Sequence, residues 1–249
     1  MFKNYIRSLK NRAYLNMKKY IKRVVKYLWH GVPQNNISVN VSKVQKGDTL
    51  RNRNILITGG GSGIGYAIAK RCSEEGANVI IVGRNEERLV EAAKTINNCD
   101  FLSFDLSDIK NLPNLLEKTE KKLGSRLDSI VLNAGISFHE QNIKYVNIEG
   151  YEQQFKTNLE SSFFLAKAFI ERMEGNKRGN LLFISSERGF QCDDVPYGLT
   201  KCAINSLTRG LSRRFYRNGI RVNALAPGIT TSNMTGIKDG DNLALDRVV

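Results

Sequence analysis

The chain has 249 residues and a formal charge of +14 at neutral pH, with 41% hydrophobic and 25% charged residues. That length holds one sizeable α/β domain plus an extension, and no apolar run approaches the roughly 18 residues a membrane span needs. The four cysteines, at 72, 99, 192 and 202, form no C-x-x-C pair and only two histidines accompany them, so no metal site is expected and the thiols suit a reducing, cytoplasmic setting.

The charge is unevenly placed. Residues 1–53 carry 13 Lys/Arg against Asp48 alone, whereas residues 54–249 carry 25 basic and 23 acidic groups. Within residues 1–30, Phe2, Ile6, Leu9, Ala13, Met17, Tyr20, Val24 and Leu28 recur at steps of three and four. This spacing predicts a basic amphipathic helix. It fits an anionic membrane surface, where each base contributes about 1 kcal/mol; docking on its own domain or on another subunit fits it equally well. Lysines interrupt the stretch throughout, which argues against a secretory signal. No recognition module accompanies the charge, so nucleic acid is not an expected partner. Residues 31–53 read as a polar linker, and residues 54–249 as the catalytic domain.

That domain opens with ITGGGSGIGYAIAK, residues 57–70. The spacing fails G-x-G-x-x-G, since Ile64 or Tyr66 falls on its last position, and it lacks the G-K-[ST] of an ATP loop. What remains is Thr58-Gly59-x-x-x-Gly63-x-Gly65 between a predicted buried strand (54–58) and a predicted helix (63–76). Glycines there permit positive φ and let backbone amides approach a pyrophosphate at a helix N-terminus. A tight strand-to-helix turn without a ligand is the alternative.

Further strands are predicted at 78–83, 101–106, 128–135, 180–186 and 221–228, with helices starting near 85, 110, 151 and 196. Continuous apolar strands separated by amphipathic helices indicate a doubly wound, Rossmann-type parallel sheet. Ligands on that architecture sit at the carboxyl ends of the strands. The glycine loop, Gly83-Arg84-Asn85, Phe104-Asp105-Leu106, Asn133-Ala134-Gly135, Ser185-Ser186-Glu187-Arg188-Gly189 and Ala226-Pro227-Gly228 all fall there. Within the last helix, Tyr197 and Lys201 are i and i+4, on one face, and Pro196 favours the helix start just before them. A nearby ammonium favours the phenolate and would bring Tyr197 toward the range where acid–base groups work best. Ser186 can hydrogen-bond a carbonyl or hydroxyl.

Over roughly residues 54 to 235 the chain resembles the short-chain dehydrogenase/reductase family. The resemblance rests on Thr58, Gly59, Gly63 and Gly65, on Asp105-Leu106, on Asn133-Ala134-Gly135 and on Asn158. It continues through Ile184-Ser185-Ser186-Glu187-Arg188-Gly189, Tyr197-x-x-x-Lys201 and Pro227-Gly228. It implies reversible hydride transfer between a nicotinamide and a carbonyl or alcohol of small-molecule size, with Tyr197 moving the proton and Ser186 orienting the carbonyl. By resemblance Lys201 also holds the nicotinamide ribose, Asn158 supports a proton-relay water, and Ser62, Ile64 and Thr230 join the cofactor contacts. Self-association through the helices following residues 151 and 196 is a further implication.

An acid at the end of the second strand would favour NAD, an arginine the 2′-phosphate of NADP. Arg84 stands there, so NADP(H) is the expected cofactor and NAD the alternative; an ordinary helix-start arginine would carry no such meaning. Two departures qualify the reading. The Ser186-to-Tyr197 spacing of eleven is shorter than the family's usual loop. The chain also ends at LALDRVV, where the family continues with a helix and a seventh strand, so the C-terminus reads as shortened. A non-catalytic nucleotide-binding scaffold, or a membrane adaptor built on the basic helix, are the rival readings.

Overall fold

Six parallel strands carry the molecule. In the computed structural model these are β1 (Asn54–Thr58), β2 (Asn78–Gly83), β3 (Cys99–Ser103), β4 (Ser129–Leu132), β5 (Gly179–Ile184) and β6 (Ile220–Leu225), in the order β3-β2-β1-β4-β5-β6. The helices are α1 (Gly63–Glu74), α2 (Glu86–Lys94), α3 (Leu112–Leu123), α4 (Ile148–Gln154), α5 (Ser161–Met173) and α6 (Pro196–Phe215), with a π-turn at Phe155–Glu160 joining α4 to α5. The structure describes residues 17, 18, 21, 22, 25, 47–173, 175, 178–230 and 234. The chain divides into residues 1–43 and 44–249. In the first unit the described positions are helical; the rest of the basic 1–30 stretch, most of the 31–53 linker and, apart from Met234, the residues after 230, where the expected shortening of the C-terminus falls, lie outside the described residues. No helix among the described residues is long and apolar enough to cross a membrane.

The expected doubly wound sheet is the observed one. All five residues of β1 are buried, as both-faced coverage requires. Leu56, Ile80, Val82, Ile130 and Leu181 face one core, packed with Leu112, Leu115 and Leu116 of α3, Leu165 and Phe169 of α5, and Ile204 of α6. Ile55, Ile57, Val79, Ile81 and Val131 alternate onto the other, against Ala69 of α1 and Leu89 and Ala92 of α2. Buried Leu and Phe side chains of this kind contribute about 1.5–3 kcal/mol each. The amino end of β1 is fixed by Asn54, whose amide donates to Ser125 Oγ (2.6 Å) and Arg126 O (2.7 Å) and accepts from Asn78 (3.0 Å).

Strand ends are where sequence and structure part. The predicted strand 101–106 is shifted to Cys99–Ser103, because its partner β2 stops at Gly83, opposite Ser103. The predicted 128–135 strand stops at Leu132: the Asn133 and Ala134 amides donate to Thr58 Oγ1 (3.0 Å each) instead of a neighbouring strand. The predicted 221–228 strand stops at Leu225, opposite the end of β5 at Ile184. The helix expected from 151 begins at Ile148, capped by Asn147, which accepts from Gly150 N at 2.6 Å.

Candidate active site

Sheet order reverses between β1 and β4, so the crossovers leaving them run to opposite sides and open a crevice at the carboxyl rim. Its floor is a cross-link from Thr58. Besides accepting the two amides of the β4 loop, Thr58 Oγ1 donates to Val131 O at 3.3 Å, and Asn133 Nδ2 donates to Thr58 O (2.9 Å) and Gly59 O (3.2 Å). Gly59 takes φ +66°, and a Cβ on Gly65 would overlap Gly59 O and the Asn133 amide. Glycine is therefore needed at 59 for conformation and at 65 for contact. Ser62, at the N-cap of α1, makes no side-chain cap bond, which leaves the first-turn amides of Gly63, Ile64 and Gly65 for an anion.

Above this floor lies a cleft of about 240 Å³. Gly59, Ser62, Gly63, Ile64 and Asn133-Ala134-Gly135 line one side, and Ser186, Tyr197, Lys201, Pro227, Gly228 and Thr230 line the other. A second hollow of about 150 Å³ shares Gly59, Ala134 and Gly135 and adds Arg84, Asp105 and Leu106. The two hollows adjoin at these shared residues and together form a trough along the rim. Burial raises the Asp105 carboxyl, but hydrogen bonds from Ser107 and the charges of Arg84 and Lys156 outweigh it and leave the pKa lowered. Of the residues singled out in sequence, Thr58, Gly65 and Asn158 are not among those that line either hollow, though Gly65 contributes its amide to the first turn of α1.

Asn158 sits in the π-turn, a helix distortion frequent at functional sites, and its side chain makes three hydrogen bonds. Oδ1 accepts from Ile136 N (2.8 Å), and Nδ2 donates to Ile136 O (2.9 Å) and Thr200 Oγ1 (3.3 Å). It ties the loop after β4 to the helix that carries Tyr197.

Lys201 is 4% exposed, and its Nζ donates to Ile184 O at 2.8 Å, 5.6 Å from the Tyr197 ring centroid. Burial pushes its pKa down to about 8. The expected lowering of the Tyr197 phenol by this ammonium is corrected by the structure. Burial is the largest influence on Tyr197 and raises its pKa; the opposing influences are a hydrogen bond with Ser186 and the charge of Arg188. The reason is that Lys201 is itself short of solvation and spends its donor on a backbone carbonyl. Sequence reasoning missed Arg188 and Thr200. Arg188 was in view inside the Ser186–Gly189 motif, but only its spacing was read, not its charge.

Comparison with known proteins places this geometry. The family model described as short chain dehydrogenase matches residues 53–242. An uncharacterized oxidoreductase of Staphylococcus epidermidis is 31% identical over 183 residues, covering 72% of this chain and 79% of that protein. The 3-ketoacyl-(acyl-carrier-protein) reductase of Brucella melitensis, solved with NADH, is 26% identical with a TM-score of 0.72, covering 76% and 80% of the two chains. ElxO with NADP bound is 31% identical with a TM-score of 0.68, covering 73% and 75%. With a model matched over most of its length and relatives this similar, the chain belongs to the short-chain dehydrogenase/reductase family and is an NAD(P)-dependent oxidoreductase.

Proposed function

We propose that the chain is an NADP(H)-dependent oxidoreductase that interconverts a small-molecule carbonyl and its alcohol. The observation that carries this reading is the convergence of Ser186, Tyr197 and Lys201 on the cleft that also holds the glycine cradle. The cradle suits a dinucleotide: uncapped amides at the start of α1 meet the pyrophosphate, and the glycines at 59 and 65 let the loop pack closely on Asn133 and Ala134. When bound, the nicotinamide supplies or takes the hydride.

The protein's own residues do the rest. Ser186, which shares the cleft with Tyr197, orients the substrate oxygen beside the phenol. Tyr197 gives its hydroxyl proton to that oxygen in reduction and removes it in oxidation. Lys201, near Gly135 at the cleft wall, is placed to hold the ribose. Asn158 acts as a positioning residue through Ile136 and Thr200. Arg84, exposed at the end of β2 beside Asp105, is the contact for a 2′-phosphate; this supports NADP(H) over NAD(H). Exposed Ile148, Tyr151, Phe163 and Phe164 on α4 and α5 favour self-association through these helices.

The test is in two steps. NADPH should raise the melting temperature by a few degrees at about 100 times its dissociation constant, and NADH by less. In a screen of carbonyl compounds with NADPH, Tyr197→Phe should then abolish turnover while keeping the NADPH stabilisation. Turnover that survives the substitution removes Tyr197 as the proton donor.

A further inference from the structure

The short segment between Ser186 and Tyr197 is closed on itself by an ion pair. Arg188 Nη2 meets both carboxylate oxygens of Asp193, at 2.8 Å and 2.7 Å. The Asp193 side chain is only 5% exposed. It lies flat on the first turn of α6, where Oδ1 also accepts from Val195 N at 3.2 Å and a Cβ on Gly198 would overlap the carboxylate. Gly198 is the residue next to Tyr197, so the clamp sits on the helical turn that carries the phenol. From the other end, the backbone amide of Arg188 donates to Ser186 Oγ at 3.3 Å. One residue thus touches the Ser186 hydroxyl and grips the acid that lies on the first turn of the Tyr197 helix.

We infer that Arg188, clamped by Asp193, is a positioning residue for Tyr197 that sets its alignment with Ser186 and supplies a positive charge to the phenol. The inference rests on the reading of Tyr197 as the acid–base group. The charged groups around the phenol are few. Lys201, on the same helix as Tyr197, is turned to Ile184 O at the end of β5, Asp193 is occupied by Arg188 and the helix backbone, and Asp194 accepts from Ile143 N. Glu187 has its carboxylate against Gly228. Among them Arg188 is the cation whose field acts on Tyr197. Its charge is permanent, whereas that of Lys201 is weakened by burial. A short loop with a clamped arginine therefore does in this chain part of what the buried lysine does less well.

The test needs no substrate. Phenolate absorbance is titrated in the full chain and in Tyr197→Phe, and the difference isolates Tyr197. Arg188→Gln should move that midpoint to higher pH without loss of NADPH stabilisation, and Arg188→Lys should return it most of the way. An unchanged midpoint in Arg188→Gln, or a Lys variant that titrates like the Gln variant, overturns the inference. Should Arg188→Gln fail to fold, the wild type decides alone. The guanidinium is 39% exposed and open to screening, so the midpoint should rise between 0.01 M and 1 M salt; a midpoint indifferent to salt overturns the role. Failure of the catalytic reading would appear instead as turnover by Tyr197→Phe, with these titrations untouched.

Discussion

Replacing Lys201 by methionine should stabilise the cofactor-free protein. Lys201 is almost wholly buried with one protein hydrogen bond, to Ile184 O. Its pKa falls from 10.5 to about 8, and at 1.36 kcal/mol per unit this represents a burial penalty of about 3 kcal/mol at neutral pH. Methionine matches the side chain in volume and removes the penalty, while losing a charge-assisted bond contributing about 1.5–3 kcal/mol. The net gain is up to about 2 kcal/mol, at most a few degrees in Tm for a domain of this size. The sign with pH is specific. Above pH 10.5 the lysine is neutral in both folded and unfolded chains and costs nothing; as pH falls the unfolded chain takes up the proton first, and the penalty is complete below about 8. Urea denaturation of both proteins from pH 7 to 10.5 therefore should show the wild type gaining on Lys201→Met as pH rises from about 8. A difference curve flat across that window, or a variant less stable throughout, would refute the reasoning.

Two further outcomes follow from the cradle and its rim. Gly65→Ala should cost about 2–3 kcal/mol, because its Cβ must displace backbone at Gly59 and the Asn133 amide, and should abolish stabilisation by either cofactor; calorimetric scans with and without NADPH check both. Arg84→Ser should weaken NADPH about ten- to a hundredfold and leave NADH nearly unchanged; titration calorimetry that finds equal losses for both would remove Arg84 from the 2′-phosphate.

Strand identity, helix order and the rim on which the site lies were legible in the sequence because each rests on local pattern: apolar runs, amphipathic spacing, Pro196 at the start of a helix. What the sequence did not carry was where groups point once buried. Thr58 and Gly65 were read as cofactor contacts; beyond that reading, Thr58 joins the ends of β1 and β4 and Gly65 packs against Gly59 O and the Asn133 amide. Asn158 was assigned a water by resemblance; that its side chain also ties Ile136 to Thr200 could not be read from spacing. Lys201 was expected to act on the phenol, and its orientation toward Ile184 O depends on a strand end 17 residues away. Arg188 gained meaning only through Asp193, a pairing that no spacing rule anticipates.

The Thr58 cross-link also bears on the order in which the protein is made. Its partners at Val131, Asn133 and Ala134 lie 73 to 76 residues further along the chain. A nascent chain that has emerged only as far as β3 can pair β1 with β2 and pack α1, but its glycine loop has no floor. Loop and floor are completed together when β4 docks on the open edge of β1. Nucleotide affinity should therefore arrive in a single step during synthesis, once residue 135 has cleared the ribosome, and a chain arrested earlier should ignore the cofactor.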